Sequence, residues 1–115
     1  GRYLKERNPN IRIIGVEPAS RHHKLSGLKR VTGLPEEHFP EILDRSVVDE
    51  FVSVSDDDAF AAGIRVARSD GVMVGPTTGA LLHAATEWGK TNTGTAVVIS
   101  GDNAAKYVSA YADYL

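Results

Sequence analysis

The sequence predicts an α/β protein of three layers, in which helices cover a mainly parallel sheet. An apolar run, a turn and a helical pattern follow one another three times along the 115 residues. The apolar runs are short, nearly continuous and rich in β-branched residues, which is typical of strands covered on both faces. Glycine, proline or acidic residues lie between the runs and the helical patterns. Strands that alternate with helices in this way form parallel sheets, and the length predicts one domain.

The first part of the chain predicts a short helix, a strand and a loop. Residues 2–7 have a helical composition, and Asn8-Pro9-Asn10 ends that helix because proline has no N–H group to donate. The β-branched run at residues 11–16 predicts a strand, which Glu17-Pro18 ends. Glycines and prolines interrupt every periodic pattern in residues 18–46, so we expect a long functional loop there.

The middle of the chain predicts a second strand and a long, well-capped helix. Residues 47–54 alternate enough to form a short strand. Ser55 is followed by Asp56-Asp57-Asp58, which indicates a helix start, because a hydroxyl caps the first N–H groups and acids favour the positive end of the helix dipole. We expect the helix to reach about Ser69, and Gly71 to close it in the left-handed conformation.

The last third of the chain predicts two more units, each with a buried strand, a turn and a helix. The strands are residues 72–74 and 96–99, the turns 75–79 and 101–103, and the helices 80–88 and 104–115. The apolar positions of both helices recur at spacings of three and four, which predicts that one face of each packs on the sheet.

Composition and charge exclude several classes of protein. Thirteen Lys and Arg against 15 Asp and Glu give a formal charge of −2, so no positive field is present to bind nucleic acid or an anionic membrane. No apolar stretch approaches the roughly 18–20 residues of a membrane span. The chain has no Cys and no group of residues with the spacing of a metal site. We therefore expect a cytoplasmic protein without a metal.

The turn Gly75-Pro76-Thr77-Thr78-Gly79 is the most informative candidate site. It follows a predicted strand, at the sheet edge where α/β proteins bind ligands, and it places two hydroxyls at a helix start. It differs from the phosphate loop of nucleotide hydrolases, because Ala80-Leu81 stands where that loop has Lys and Ser or Thr. On the residues alone, helix capping and ligand binding both stay open.

The order of five segments is more specific than this turn. They are residues 2–6, 13–18, 56–68, 71–80 and 97–107. Together they resemble the C-terminal part of the cysteine synthase and cystathionine β-synthase family, pyridoxal-phosphate enzymes of the tryptophan-synthase-β fold type, known as fold type II. The resemblance covers essentially the whole chain, so we expect residues 1–115 to be the C-terminal part of such an enzyme.

The resemblance implies a binding site for pyridoxal 5′-phosphate. It implies that the hydroxyl of Thr77 hydrogen-bonds the pyridine nitrogen, and that Gly75, Gly27 and Asp102 line the same pocket. A neutral hydroxyl does not hold that nitrogen protonated as a carboxylate would, which favours β-elimination and β-replacement over transamination. Asp102 has a second interpretation, as a cap of the final helix shared with Asn103.

Several parts of the family's active site have no counterpart in this chain. The Schiff-base lysine, the loop that binds the substrate carboxylate and the phosphate cradle are all missing. None of the lysines of this chain lies in a sequence context that matches the family's Schiff-base lysine. The lysines are Lys5, Lys24, Lys29, Lys90 and Lys106. The segment around Gly27 also departs from the family's commoner glycine-rich loop, which leaves the substrate open. We expect no catalytic residue in this chain and no activity of these residues alone.

The resemblance implies an enzyme, homodimeric when complete, that makes cysteine from an activated serine, O-acetylserine or O-phosphoserine, and sulfide. A cystathionine β-synthase or a cysteine desulfhydrase is the alternative within the same class. From a different class, the chain is a small nucleotide- or metabolite-binding module, with Glu17 on a ribose and the Gly75 turn around a phosphate. A third alternative is a non-catalytic remnant kept for oligomer contacts.

Overall fold

The computed structural model describes residues 1–115, which form two parallel strands with helices packed against them. Strand β1 (Ile14–Pro18) pairs with β2 (Glu50–Val54) in parallel and in register from end to end. The predicted α/β class with parallel strands is therefore confirmed. Both strands begin three residues later than predicted, and just before them the backbone N–H of Asp49 still donates to the carbonyl of Ile13, at 2.8 Å.

Helices α1 and α2 begin and end close to where local sequence signals place them, whereas α3 begins earlier. Helix α1 spans Arg2–Arg7, α2 spans Asp56–Asp70 and α3 spans Pro76–Gly89. The hydroxyl of Ser55 accepts from the N–H of Asp58 at the start of α2, and the left-handed Gly71 (φ 71°) follows its end, both as predicted. None of the helices is long and apolar enough to cross a bilayer.

Helix α3 starts at Pro76, four residues before the predicted start. Proline is favoured at the first helical position, because its fixed φ suits the helix and its missing N–H group has no partner there in any case. Thr77, Thr78 and Gly79 therefore belong to the first turn of α3 and not to a preceding loop. The two hydroxyls consequently stand on the helix itself.

The core lies between α2, α3 and strand β2. Its buried side chains are Leu25, Val54, Ala59, Phe60, Ala80, Ala84, Ala104 and Tyr111. Phe60 is fully buried and meets Tyr111 edge to face, with 5.0 Å between the ring centroids. Helix α3 also contacts both strands.

The region between the two strands is irregular, as predicted, and contains two short 3₁₀ turns at Glu36–His38 and Arg45–Val47. One of its side chains, Leu25, is fully buried in the core. The part of the region nearest β1 is therefore attached to the core by an apolar side chain.

The two predicted strands at residues 72–74 and 96–99 are wrong. Val74 makes only an isolated antiparallel bridge with Asn103, and residues 96–99 join no sheet. Val97 is 80% exposed and Ile99 is 78% exposed. A β-branched run fits a strand only where a neighbouring strand binds its backbone and other side chains cover it. Residues 96–99 have neither in this structure.

The predicted final helix is interrupted. Residues Ala104–Lys106 form a 3₁₀ turn, and helix α4 covers only Val108–Ala112. Tyr107 lies between them with φ −126° and ψ 19°, outside the helical region, and its N–H donates to the carbonyl of Ala104, three residues back, so one continuous α-helix does not form.

Candidate functional site

Asp102 caps the start of α3. Its Oδ2 accepts from the backbone N–H of Thr77 at 2.9 Å, and its Oδ1 accepts from the N–H of Thr78, also at 2.9 Å. The Thr78 hydroxyl donates to the same Oδ1 at 2.5 Å. These N–H groups have no partner within the helix, so a carboxylate there satisfies them and complements the helix dipole.

The alternative interpretation of Asp102 as a cap of the final helix is wrong. Asn103 alone serves that turn, since its side-chain oxygen accepts from the N–H of Ala105 at 3.0 Å. Asp102 instead lies beside Thr77, where the resemblance places it. The backbone at Asn103 is extended (φ −128°, ψ 163°), so successive side chains point to opposite sides: that of Asp102 faces α3 and that of Asn103 faces the turn that follows.

Residue 75 must be glycine because the side chain of Asp102 lies directly against its backbone. A Cβ atom at Gly75 would collide with the side chain of Asp102, and the backbone N–H of Gly75 donates to the Asp102 carbonyl at 3.3 Å. The predicted glycine therefore lets the segment that carries Asp102 lie directly against the start of α3.

The hydroxyl of Thr77 faces the loop that carries Gly27. Thr77 Oγ1 donates to the backbone carbonyl of Ser26 at 2.8 Å, although the two residues are 51 positions apart. Gly27 has a φ of 100°, which strains any other residue, and a Cβ there would lie 3.4 Å from Thr77 Oγ1. The structure thus brings together all four predicted site residues: Thr77, Gly75, Gly27 and Asp102. Whether they bind a cofactor stays a prediction.

Glu17, at the end of β1, is a buried carboxylate that holds the same loop. It is 1% exposed. Its Oε2 accepts from the backbone N–H groups of Val31 at 2.8 Å and Thr32 at 2.9 Å. Its Oε1 accepts from the hydroxyl of Thr32 and, at 3.3 Å, from that of Ser53.

These contacts leave Glu17 ionised and fully bonded. Burial by itself raises the pKa of its carboxyl, but the hydrogen bonds from Thr32, Val31 and Ser53 together bring the pKa below its usual value. The nucleotide-binding alternative required Glu17 to contact a ribose, and that part of it is wrong because the carboxylate is enclosed by the protein. An acid directly after a buried strand was the only sequence signal for this role.

The lysines and histidines form no additional site. Three lysines pair with surface carboxylates, Lys5 with Asp49, Lys24 with Asp113 and Lys90 with Glu87. No three His, Asp or Glu side chains converge in a way that could hold a metal ion.

The fold and the site define an α/β protein in which the N-terminus of a helix contacts a glycine-containing loop that follows one of two parallel strands, the kind of place where α/β proteins bind ligands. Residues 1–102 match the family model described as pyridoxal-phosphate dependent enzyme, and the chain belongs to this family. The predicted resemblance is thereby confirmed, and with it pyridoxal phosphate as the cofactor of the family.

Several proteins with known names are similar to most of this chain. A probable cysteine synthase of Bacillus subtilis is 36% identical over 95% of this chain and 37% of its own length. An O-acetylserine dependent cystathionine β-synthase of the same organism is 33% identical over 93% of this chain and 36% of its own length. The crystal structure of a hydrogen sulfide-producing enzyme from Fusobacterium nucleatum superposes with a TM-score of 0.80 at 32% identity, over 92% of this chain and 38% of that one. The chain thus spans little more than a third of the length of these relatives.

Proposed function

We propose that this chain forms the C-terminal part of a pyridoxal-phosphate enzyme that makes cysteine by replacing the leaving group of an activated serine with sulfide. The observation that carries the proposal is the position of the Thr77 hydroxyl, at the N-terminus of α3 and against the Ser26–Gly27 loop. The names of the relatives, cysteine synthase above all, support the chemistry.

The residues around Thr77 fit the pyridine edge of this cofactor. The hydroxyl is neutral, and the nearest carboxylate, that of Asp102, already accepts from two backbone N–H groups of α3. Gly27 has no side chain to obstruct the approach to Thr77 Oγ1. A planar ring nitrogen that needs one neutral hydrogen-bonding partner matches this set of groups.

Pyridoxal phosphate, when bound, supplies an electron sink for breaking bonds at the α-carbon of the amino acid. The role of this chain is to set the strength of that electron sink through the group that contacts the pyridine nitrogen. The Thr77 hydroxyl donates to the Ser26 carbonyl, and rotation of its hydrogen about the Cβ–Oγ1 bond would let the same oxygen, without moving, hydrogen-bond a ring nitrogen instead. Asp102 keeps the first turn of α3 rigid, so the hydroxyl is presented at a fixed position.

The covalent attachment of the cofactor must come from residues outside positions 1–115. Three of the five lysines are paired on the surface, as described above, and none lies in the context of the family's Schiff-base lysine. We therefore propose that these residues alone are inactive and that the remaining part of the enzyme supplies the lysine, the phosphate cradle and the substrate-carboxylate loop.

Cystathionine synthesis is the second candidate, because one of the relatives is an O-acetylserine dependent cystathionine β-synthase. It uses the same activated serine class with a larger thiol. Desulfhydration of cysteine is a third outcome of the same chemistry and is suggested by the hydrogen sulfide-producing enzyme. Rates with sulfide, homocysteine and cysteine, measured on one preparation, decide between the three.

Thr77→Asp tests the proposal in the protein at its natural length. A carboxylate would hold the ring nitrogen protonated, so we expect β-replacement to fall by about a hundredfold, the size that loss of one preorganised polar contact has in other enzymes. Thr77→Ser should keep activity, and Thr86→Asp, on the exposed face of α3, controls for the added charge. Unchanged turnover in Thr77→Asp, or a protein that stays colourless with pyridoxal phosphate, would contradict the proposal.

The setting of the enzyme is also a proposal. We expect a homodimer located in the cytoplasm. The absence of Cys fits this compartment, because proteins of the reducing cytoplasm do not rely on disulfide bonds. Light scattering on the natural-length protein measures the first property, and cell fractionation measures the second.

A further inference from the structure

Glu17 is the one buried carboxylate of the chain, and it pairs with no cation. It is 1% exposed, and its charge is balanced only by hydrogen bonds from Val31, Thr32 and Ser53. A buried charge of this kind is unfavourable unless its hydrogen bonds are complete, so its presence calls for a specific role. Three of the four donors belong to the loop after β1, which places that role in the loop.

The loop between Leu25 and Thr32 is held at both ends, and Leu28 between them packs partly buried against the core. At one end, the side chain of Leu25 is fully buried in the core. At the other end, the consecutive N–H groups of Val31 and Thr32 both donate to Oε2 of Glu17. The residues between these points include a turn, in which the N–H of Leu28 donates to the carbonyl of Leu25 at 3.1 Å.

The part of the loop between the two points is the part that meets Thr77. The Ser26 carbonyl accepts from Thr77 Oγ1 at 2.8 Å, and Gly27 lies beside that hydroxyl. Apart from this bond, no side chain outside the loop forms a hydrogen bond with Ser26 or Gly27. Their position over α3 therefore depends on how the neighbouring loop residues are held, Leu25 and Leu28 by the core and Val31 and Thr32 by Glu17.

We propose that Glu17 is a positioning residue, which fixes the loop from Leu25 to Thr32 so that Ser26 and Gly27 lie over the hydroxyl of Thr77. The effect on cofactor binding rests on the function proposed above. The effect on the loop does not, because it can be measured in protein that holds no cofactor.

The variant Glu17→Ala tests the proposal in the natural-length protein. Loss of the acceptor leaves two backbone N–H groups without a partner, so we expect hydrogen exchange at Val31 and Thr32 to rise by about tenfold or more, while amides in the middle of α2 keep their rates. Glu50→Gln is the matched control, because Glu50 is an exposed acid on the neighbouring strand. It should leave both regions unchanged.

A conservative variant separates positioning from a general loss of structure. The side-chain oxygen of a glutamine can accept from both N–H groups, while the hydroxyls of Thr32 and Ser53 turn to accept from its NH₂ group. Glu17→Gln should therefore restore most of the slow exchange. If Glu17→Ala fails to fold, Thr32→Val removes only the hydroxyl bond and should give a smaller rise at the same amides.

Cofactor affinity gives the second measurement. Titration of the apoprotein with pyridoxal phosphate, followed by visible absorbance, should show weaker binding in Glu17→Ala. Thr77→Ala should weaken binding much less in the Glu17→Ala background than in the wild type, because the two residues act through one loop. Fully additive effects, or unchanged exchange at Val31 and Thr32, would overturn the proposal. No binding even by the wild type would instead contradict the proposed function and leave the exchange result standing.

Discussion

The two sides of the candidate site are held by carboxylates in the same way, but in different surroundings. Asp102 accepts from two consecutive N–H groups and from the hydroxyl of the second residue, Thr78. Glu17 does the same with Val31 and Thr32. The residues bound by Asp102 lie at the start of a helix whose residues from Pro76 to Ala84 include five buried ones, whereas those bound by Glu17 lie on an irregular loop.

This comparison shows that the effect of removing a carboxylate on the local structure depends on which other contacts hold the backbone N–H groups that donate to it. On the α3 side, a Cβ at Gly79 would collide with the backbone carbonyl of Ala59, so α2 and α3 are in backbone contact. That contact remains if Asp102 is lost. On the loop side, the attachments apart from Glu17 are apolar side chains: Leu25 is fully buried, and Leu28 packs partly buried against the core.

The largest effect is expected from breaking the helix contact itself. In Gly79→Ala the new methyl group meets a backbone atom that cannot turn aside, so the free energy of unfolding should fall by about 3 kcal/mol. Gly89→Ala is the matched control on the same helix, since nothing lies within 4 Å of a Cβ there, and it should not destabilise. Denaturant unfolding of both variants checks the prediction, and equal stabilities would show that α2 and α3 can separate freely.

Loss of the α3 cap should have a smaller effect. Asp102→Ala removes the acceptor of two N–H groups and should reduce the free energy of unfolding by about 1–2 kcal/mol. Asp102→Asn keeps one acceptor oxygen and should lose roughly half as much. Hydrogen exchange beyond the first turn of α3 should stay slow in both variants. Fast exchange along the whole of α3 would break the comparison, because the helix would then depend on its cap as the loop depends on Glu17.

A further support on the α3 side is the hydroxyl of Tyr111, which donates to the carbonyl of Val74 at 2.9 Å. Tyr111→Phe leaves that carbonyl without this partner and should reduce the free energy of unfolding by about 1 kcal/mol. Tyr3→Phe is the control, because Tyr3 is exposed. Equal stability of the Tyr111→Phe variant and the wild type would mean that water replaces the hydroxyl.

The smallest effect is a dependence of stability on pH that arises from Glu17. The pKa of Glu17 is lowered in the folded protein, so its contribution to stability is fully present above the usual value of 4.5 and is lost as the pH falls through the folded pKa. Unfolding free energies measured below pH 5 should therefore fall more steeply for the wild type than for Glu17→Gln. Parallel curves would show that protonation of Glu17 does not weaken the loop.

Local signals predicted the helices best. The hydroxyl of Ser55, the acids after it and the left-handed Gly71 determine both ends of α2 through contacts within a few residues. The strands were predicted less well. The runs at β1 and β2 pair, but those at 72–74 and 96–99 look the same in sequence and do not. Pairing requires a distant partner, which periodicity cannot supply.

The members of the candidate site were predicted from a resemblance to a family and not from spacing. Thr77, Gly75, Gly27 and Asp102 are indeed neighbours, but no local pattern in the sequence indicates that Asp102 lies against the start of α3. Glu17 was predicted only as a ligand contact in another class of protein. Its real partners, Val31 and Thr32, lie in a region without any periodic pattern.

The sequence by itself determined the α/β class, the capped helix α2 and the residue types at the turn into α3, because these depend on short-range periodicity and capping. The tertiary structure decided which apolar runs became strands, where α3 begins and which acid serves which backbone groups. Those outcomes depend on atoms far apart in the chain. The hydroxyl of Thr77 donates to the carbonyl of Ser26, 51 positions away in the chain, and a local sequence pattern cannot predict such a contact.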